Sequence, residues 1–358
     1  MSDPAIELRS VDKRFGPVTA LSGVSLQVNQ GEFLTLLGPS GCGKTTTLRL
    51  IAGFEQPTSG EILIAGRSVV GVPPERRDVN IVFQSDALFP HMTVAQNIGF
   101  GPRMSRARRS DIRRRTAEIL TLLHLENLGP RKPRQLSADQ RQRAGLARAL
   151  VNHPIALLLD EPLGALDLKP RLAMQLELRK LNRSLGITFL STTHDRDEAL
   201  AMSDRIAVMS EGHIAQIGTA QEIYETPATR FVADFIGEAN FLEGKVTGWI
   251  GGIVAVATPA GTIAVRCGAM LPTGTAVCVF VRPERVGVTA AGGAGSLQDN
   301  LIRGRLVDAV YAGPVMAYTV EAAGGIRITA RAPLKGQALD PGSEVAVRWS
   351  TGECSVLV

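Results

Sequence analysis

Four short apolar runs, FLTLL (33–37), NIVF (80–83), IALLL (155–159) and ITFLST (187–192), punctuate the first part of the chain. Each is too short for an ordinary helix and is bounded by polar or turn-forming residues, so each reads as a buried strand. Between them, as in TTTLRLIAGF and RLAMQLELRKLNRSL, apolar residues recur about every three to four positions, the period of an amphipathic helix. Non-alternating strands interleaved with helices predict a parallel α/β sheet covered on both faces. About seventy residues separate NIVFQ from IALLL without a strand pattern but with helical periodicity and many arginines, so a helical insertion is expected at about 86–150.

The pattern changes near residue 240. The final 118 residues hold 18 of the 37 glycines, set between runs such as LEGKVTGWI, TIAVRC, AVCVFVRPE, MAYTVEAAG, IRITARA and EVAVRW. Strand-length runs broken by turn residues predict a small all-β, barrel-like domain. The expected organisation is an α/β domain over 1–240 and a β domain over 241–358, each with enough chain to bury a core.

The candidate chemistry sits where the strands end. GPSGCGKT, Gly38–Thr45, satisfies G-x-x-x-x-G-K-[ST] between FLTLL and a helical run, the context that motif requires. Glycines 38, 41 and 43 let backbone N–H groups converge on phosphate oxygens, and the helix start adds its dipole. The candidate phosphate-binding residues are therefore Gly38, Pro39, Ser40, Gly41, Cys42, Gly43, Lys44, Thr45 and Thr46. Lys44 is placed to hold the β and γ phosphates of a bound nucleotide, and the Thr45 hydroxyl to bind Mg²⁺. IALLL ends in Asp160 and Glu161, two carboxylates at the edge where open α/β sheets take ligands. Asp160 suits the Mg²⁺ shell and Glu161 the polarisation of an attacking water.

Composition narrows the field. The net charge of +5 is thin, with 39 basic residues against 34 acidic, and aromatic residues make up 4%, so nucleic acid is not an expected partner. Cys42, Cys267, Cys278 and Cys354 lack the paired spacing of zinc sites or disulfide frameworks, which fits a reducing compartment. MSDPAIELRS has neither a basic lead nor an apolar core, and no run of eighteen apolar residues occurs, so a cytoplasmic location is expected.

Further motifs fall in a recognisable order: Gln84 after NIVF, LSADQ before a helix, DEPLGALD, and His194 after ITFLST. Over residues 5 to about 240 this resembles the ATP-binding subunit of ABC transporters, a P-loop NTPase fold with a helical insertion. The resemblance implies that Gln84 senses Mg²⁺ and water and couples to a membrane partner, and that His194 contacts the γ-phosphate. It also implies that Phe15, with Val18 nearby, stacks on adenine and that Asp167 lies in a loop crossing between two subunits. Such subunits work as head-to-tail pairs, in which Ser137, Asp139 and Gln140 of one chain face the ATP held by the other. The pair, a homodimer or two different ATPase subunits, drives two transmembrane permeases served by an extracytoplasmic solute-binding protein.

LSADQ departs from the family's usual LSGGQ. Asp139 places a carboxylate where a glycine N–H normally meets phosphate, and this is expected to weaken closure and hydrolysis unless Arg141 and Arg143 draw it aside. VRPERVGV and VYAGPVMAYTV resemble the C-terminal accessory domain of importer ATPases, which braces the pair or binds small ligands. PPERRDVNIVFQSDALFPHMTV and RFVADFIGEANFLEG look most like the spermidine/putrescine group, with iron(III) or phosphonate importers and a hydrolysis-impaired regulatory subunit as alternatives. RMSRARRSDIRRR, with seven arginines and one acid, reads as a solvated helix face or as a dock for a membrane subunit or anionic headgroups.

Overall fold

The computed structural model describes residues 3–83, 88–164, 166–291, 299–334 and 339–357. The chain divides into two compact units, 1–223 and 224–358.

In the first unit β1 (Ile6–Phe15) and β2 (Val18–Val28) pair antiparallel, and β4 (Ser59–Ile64) and the short β5 (Arg67–Ser68) extend them into a sheet of order β2-β1-β4-β5. This antiparallel sheet lies outside the parallel α/β expectation. The larger sheet contains β3 (Phe33–Leu37), β6 (Val79–Val82), β7 (Ala156–Asp160), β8 (Thr188–Thr193), β9 (Arg205–Ser210) and β10 (His213–Gly218), in the order β10-β9-β3-β8-β7-β6. It is parallel except at β10, which pairs antiparallel with β9.

The four apolar runs form β3, β6, β7 and β8. Successive residues point to opposite faces, and here both faces are covered. Leu34, Leu36, Leu158 and Leu190 join Ile6, Leu8 and Leu26 of the antiparallel sheet in one core, together with Leu48 and Ile51 of α1 (Lys44–Ala52). Phe33, Leu157, Leu159 and Phe189 face the second core. That core is closed by α2 (Val94–Ile98), α4 (Arg109–Leu122) and α5 (Ala138–Leu150), with α3 (Phe100–Met104) between α2 and α4, and by α6 (Leu168–Leu185) and α7 (Arg196–Met202). Between β6 and β7 the described residues contain no strand, as the helical insertion requires.

Capping fixes where these helices begin. Thr93 with Gln96, and Ser137 with Gln140, close reciprocal capping boxes at the starts of α2 and α5. At the other end of α1, the buried Arg77 donates to the carbonyls of Leu50 and Ile51 at 2.7 and 2.9 Å, a cation at a helix C-terminus.

Helix α8 (Ala220–Glu225) carries the chain across the division at Ile223 and Tyr224. The second unit contains α9 (Arg230–Ile236) and two five-stranded sheets. One is built from β11 (Asn240–Ile250), β12 (Ile253–Thr258), β13 (Gly261–Arg266), β14 (Ala276–Val281) and β20 (Cys354–Leu357), in the order β13-β12-β11-β14-β20. The other is built from β15 (Gly287–Ala290), β16 (Asp299–Tyr311), β17 (Val315–Ala322), β18 (Arg327–Pro333) and β19 (Glu344–Ser350), in the order β15-β19-β16-β17-β18. Alternate residues such as Leu242, Val254, Ile263, Val320, Ile328 and Val347 interdigitate in a common core, giving the expected barrel-like, all-β domain.

Composition changes near residue 240, yet the compact unit starts sixteen residues earlier, at Tyr224. Arg282 is the cause. It is 2% exposed, lies just beyond β14, and donates to the carbonyls of Ala233, Gly237, Glu238 and Tyr224 at 2.9, 3.0, 3.1 and 3.0 Å. Its guanidinium also stacks over the Tyr224 ring, so α9 and its flanks are held to the β sheets. Burial and a hydrogen bond to Glu284 push the Tyr224 phenol up to about 12, keeping it a donor. Because four carbonyls lose a charged donor, Arg282→Ala is expected to destabilise this unit by about 3 kcal/mol or more in urea unfolding. Arg282→Lys, which keeps the charge but not the planar fork, should recover only part of the loss.

Candidate active site

The phosphate loop joins β3 to α1, and its glycines are required by contact. A Cβ on Gly38 would lie 2.4 Å from the Met209 carbonyl oxygen, and one on Gly43 would lie 2.6 Å from a Leu21 methyl. Gly43 also has φ 108 as the N-cap residue of α1. The loop is thus pressed against β9 and β2, with Ser40 and Gly41 left exposed at its crest. Lys44 is buried and folds over the loop, its Nζ donating to the carbonyls of Gly38 (2.6 Å) and Pro39 (2.9 Å). Cys42 is buried beneath the loop, with its Sγ 3.8 Å from Lys44 Nζ. Thr46 is half-buried on the first turn of α1.

The Thr45 hydroxyl donates to Asp160 Oδ1 at 3.1 Å. The same oxygen accepts from the Thr192 hydroxyl at 2.9 Å. Thr192 in turn receives the Glu161 backbone N–H, at 3.1 Å on its hydroxyl and 3.2 Å on its carbonyl. Glu161 has φ 47, a left-handed conformation that costs a non-glycine residue roughly 1–2 kcal/mol. Its carboxylate meets His194, with Nδ1 and Oε1 3.2 Å apart. His194 is held between the end of β8 and Asp195, which caps α7 through the N–H groups of Asp197 and Glu198. Burial raises the pKa of neighbouring Glu198, against the opposing effect of the Thr193 hydroxyl bonded to it at 2.7 Å.

Lys44, Thr45, Asp160, Glu161 and His194 therefore gather at the carboxyl ends of β3, β8 and β7, which are neighbours in the sheet. Phe15 and Val18 pair across the end of the β1–β2 hairpin and are both exposed, with Lys13 Nζ 4.5 Å from the Phe15 ring centre. Ser137, Asp139 and Gln140 form the first turn of α5, and Asp167 stands exposed at the start of α6. Gln84 lies outside the described residues.

Neither arginine that could have drawn Asp139 aside is paired with it. Its carboxylate accepts the Ser137 hydroxyl, while Arg143 pairs with Glu177 at 3.0 Å and Arg141 donates to the Leu136 carbonyl at 2.9 Å. Two further residues join the site without a motif to mark them. Thr192 links both carboxylate positions, and Gln142, buried on α5, donates to the Pro162 carbonyl directly after Glu161. Thr192 is one of four hydroxyl residues in β8, TFLSTT, and nothing in the sequence sets it apart from Thr188, Ser191 and Thr193.

An ABC transporter family model matches residues 21–164, and a TOBE domain model matches 279–357. The spermidine/putrescine import ATP-binding protein PotA of Rubrobacter xylanophilus is 49% identical over 361 residues, covering 99% of this chain and 93% of that protein. The chain belongs to the ABC transporter ATP-binding proteins. The Thermobifida fusca PotA is 52% identical to this ABC protein across 88% of the chain and 83% of its own length. Among solved structures, the dimeric ATP-binding cassette MJ0796 in a post-hydrolysis state with ADP and phosphate superposes with a TM-score of 0.54 at 32% identity, covering 60% of this chain and 98% of its own. The cbiO1 subunit of Clostridium perfringens, part of the cbiONQ transporter complex, gives 0.58 at 28% identity, covering 62% and 90%.

In this ABC ATPase Thr192 orients the residues gathered beside the loop. Removing its hydroxyl leaves Asp160 with one fewer donor and frees the Glu161 N–H. Thr192→Val is expected to lower ATP turnover about 10–100-fold, as losses of ligand-orienting partners do, with Thr192→Ser retaining most activity. Steady-state phosphate release by the two variants checks this.

Proposed function

We propose that this chain is the ATP-hydrolysing subunit of a polyamine importer, working as a head-to-tail pair on the cytoplasmic face of the membrane. The observation that carries the mechanism is the gathering of Lys44, Thr45, Asp160, Glu161 and His194 on three adjacent strand ends. The substrate rests on the relatives, whose names give spermidine/putrescine import.

Lys44 leaves its loop carbonyls for the β and γ phosphates, while the α1 N-terminus and loop N–H groups hold the rest of the chain of phosphates. Thr45 and Asp160 offer two hard oxygens 3.1 Å apart. No cluster of three or more metal-binding side chains occurs among the described residues, which suits Mg²⁺, an ion that keeps waters and takes phosphate oxygens. When bound, Mg²⁺ supplies neutralisation of charge on the transferring phosphoryl group. Glu161 accepts a proton as the water oxygen bonds to the γ-phosphorus and the bond to the β–γ bridging oxygen breaks, leaving ADP and phosphate. His194 orients Glu161 and faces the γ-phosphate; Gln84, Phe15, Val18 and Asp167 keep the roles the family resemblance gives them.

Two permeases and an extracytoplasmic solute-binding protein complete the importer. An apolar recess of about 560 Å³ supports permease docking: Phe54, Phe83, Phe89 and Phe100 line it, Arg148 sits 5.4 Å over the Phe89 ring, and Phe83 directly precedes Gln84.

Glu161→Gln is expected to reduce ATP turnover at least about 100-fold while ATP still binds, because only the proton acceptor is lost. In membranes holding the chain with its permeases, spermidine on the solute-binding protein should stimulate turnover. Stimulation by iron(III) or phosphonate in its place would discard the polyamine reading, and unchanged turnover in Glu161→Gln would discard the catalytic one.

The Ser137–Asp139 bond favours one refinement. The Ser137 hydroxyl has a single proton, and it is donated in a hydrogen bond to the Asp139 carboxylate, so the charge stays at the helix start that faces the partner's ATP. Two unit charges about 4 Å apart repel by roughly 4 kcal/mol at an effective dielectric near 20. Asp139→Gly is therefore expected to raise steady-state ATPase several-fold. No rise, or a fall, would show that the turn works unhindered.

A further inference from the structure

We infer that the corner where α3 meets α4 is a contact surface for anionic lipid headgroups. The charge distribution leads there. Residues 103–115 carry seven arginines against Asp111, a net of +6, whereas the whole chain nets +5, so all other residues together come to −1. The positive excess of the protein thus resides in thirteen consecutive positions, in a chain whose other charges are interspersed and nearly balanced.

The fold brings three of these charges together. Arg103 lies in the last turn of α3, and Arg109 and Arg113 lie one turn apart on α4; with Ala107 and Ile112 the three line a recess of about 600 Å³. The connecting turn is tied down by Ser105 N–H to Gly101 O (3.1 Å), Arg106 N–H to Arg103 O (3.1 Å) and Ala107 N–H to Pro102 O (3.0 Å). Among the described residues Arg114 alone of the seven has a carboxylate partner, Glu118 at 2.9 Å; Arg103, Arg109 and Arg113 have none.

One apolar residue stands in the midst of this charge. Met104 is 60% exposed, flanked by Arg103 and Arg106, both exposed. Unpaired guanidiniums around a protruding flexible thioether suit a headgroup layer: phosphates meet the arginines bidentately, and the side chain enters the acyl boundary. A nucleic-acid partner lacks the stacking aromatics it would use, since none occurs between Phe100 and Tyr224 except Phe189, which is buried.

The inference does not need the polyamine reading, and its test is independent of transport. The full chain is sedimented with vesicles of phosphatidylcholine alone and of phosphatidylcholine mixed with phosphatidylglycerol, over a range of NaCl. Binding to the mixed vesicles that weakens with salt is expected. A triple variant, Arg103→Gln with Arg109→Gln and Arg113→Gln, should bind on the order of a hundredfold more weakly, given the usual gain per basic residue near an anionic leaflet. Met104→Ser should bind more weakly without changing the salt dependence. ATPase activity of the free triple variant should be unchanged, which separates failure of the surface from failure of the fold or of the catalytic reading. Equal binding to both vesicle types, no binding to either, or undiminished binding by the triple variant would overturn the inference. So would recruitment that occurs only on membranes containing the permeases, since that would make the partner an acidic protein surface.

Discussion

A single carboxylate oxygen ties the catalytic half of this protein together. Asp160 Oδ1 accepts hydroxyls from Thr45, at the start of α1, and from Thr192, near the end of β8. Three neighbouring strands thereby have their carboxyl ends fixed relative to one another through side chains as well as through the sheet. The parallel pairing sets the strands side by side; it does not determine how far each following loop stands above the sheet. The two hydroxyl bonds do, and they place the phosphate loop, the general-base candidate and His194 on one surface. The helical insertion is joined to the same centre through the hydrogen bond from Gln142 to the Pro162 carbonyl. That bond ties α5, whose first turn holds Ser137, Asp139 and Gln140, to the residue directly after Glu161.

How much of this could be read in the sequence follows from contact range. The phosphate loop is legible because its requirements are local: glycine where a Cβ would strike Met209 or Leu21, and lysine at the helix start. The parallel strands are legible because both faces are buried, which replaces strict alternation with short, mainly apolar runs whose polar members are uncharged except Asp160 at the end of β7. Thr192, Gln142 and Arg282 were not legible. Their partners lie 32, 20 and up to 58 residues away, so only the folded chain gives them a role. The antiparallel sheet escaped for another reason. The alternation in β1 and β2 is interrupted by register shifts, which break the period of two that would have announced it.

Asp139 exposes a conflict between two demands on one helix start. For the isolated helix an acid in the first turn is favourable, because it complements the dipole, and its bond to Ser137 tightens the cap. For a site that must receive phosphate the same acid is a competing anion already in place. In the proposed pair the helix gains what the composite site loses: the acid leaves the fold undisturbed, and it acts on the equilibrium between open and closed pairs without touching any residue that would hold the nucleotide in its own subunit.

Glu161 presents the opposite arrangement, in which stability yields to position. Its φ of 47 would suit glycine, but glycine has no carboxylate to accept a proton from water. The conformation persists because the Glu161 N–H is held by two oxygens of Thr192, an amount of bonding that offsets strain of roughly 1–2 kcal/mol. The strained backbone turns the side chain out of the line of β7 and toward His194. Had the chain continued in extended geometry, Asp160 and Glu161 would have pointed to opposite faces of the sheet, as successive strand residues must. The left-handed residue is what gives two adjacent carboxylates different partners: one lies beside the Thr45 hydroxyl, the other beside the histidine.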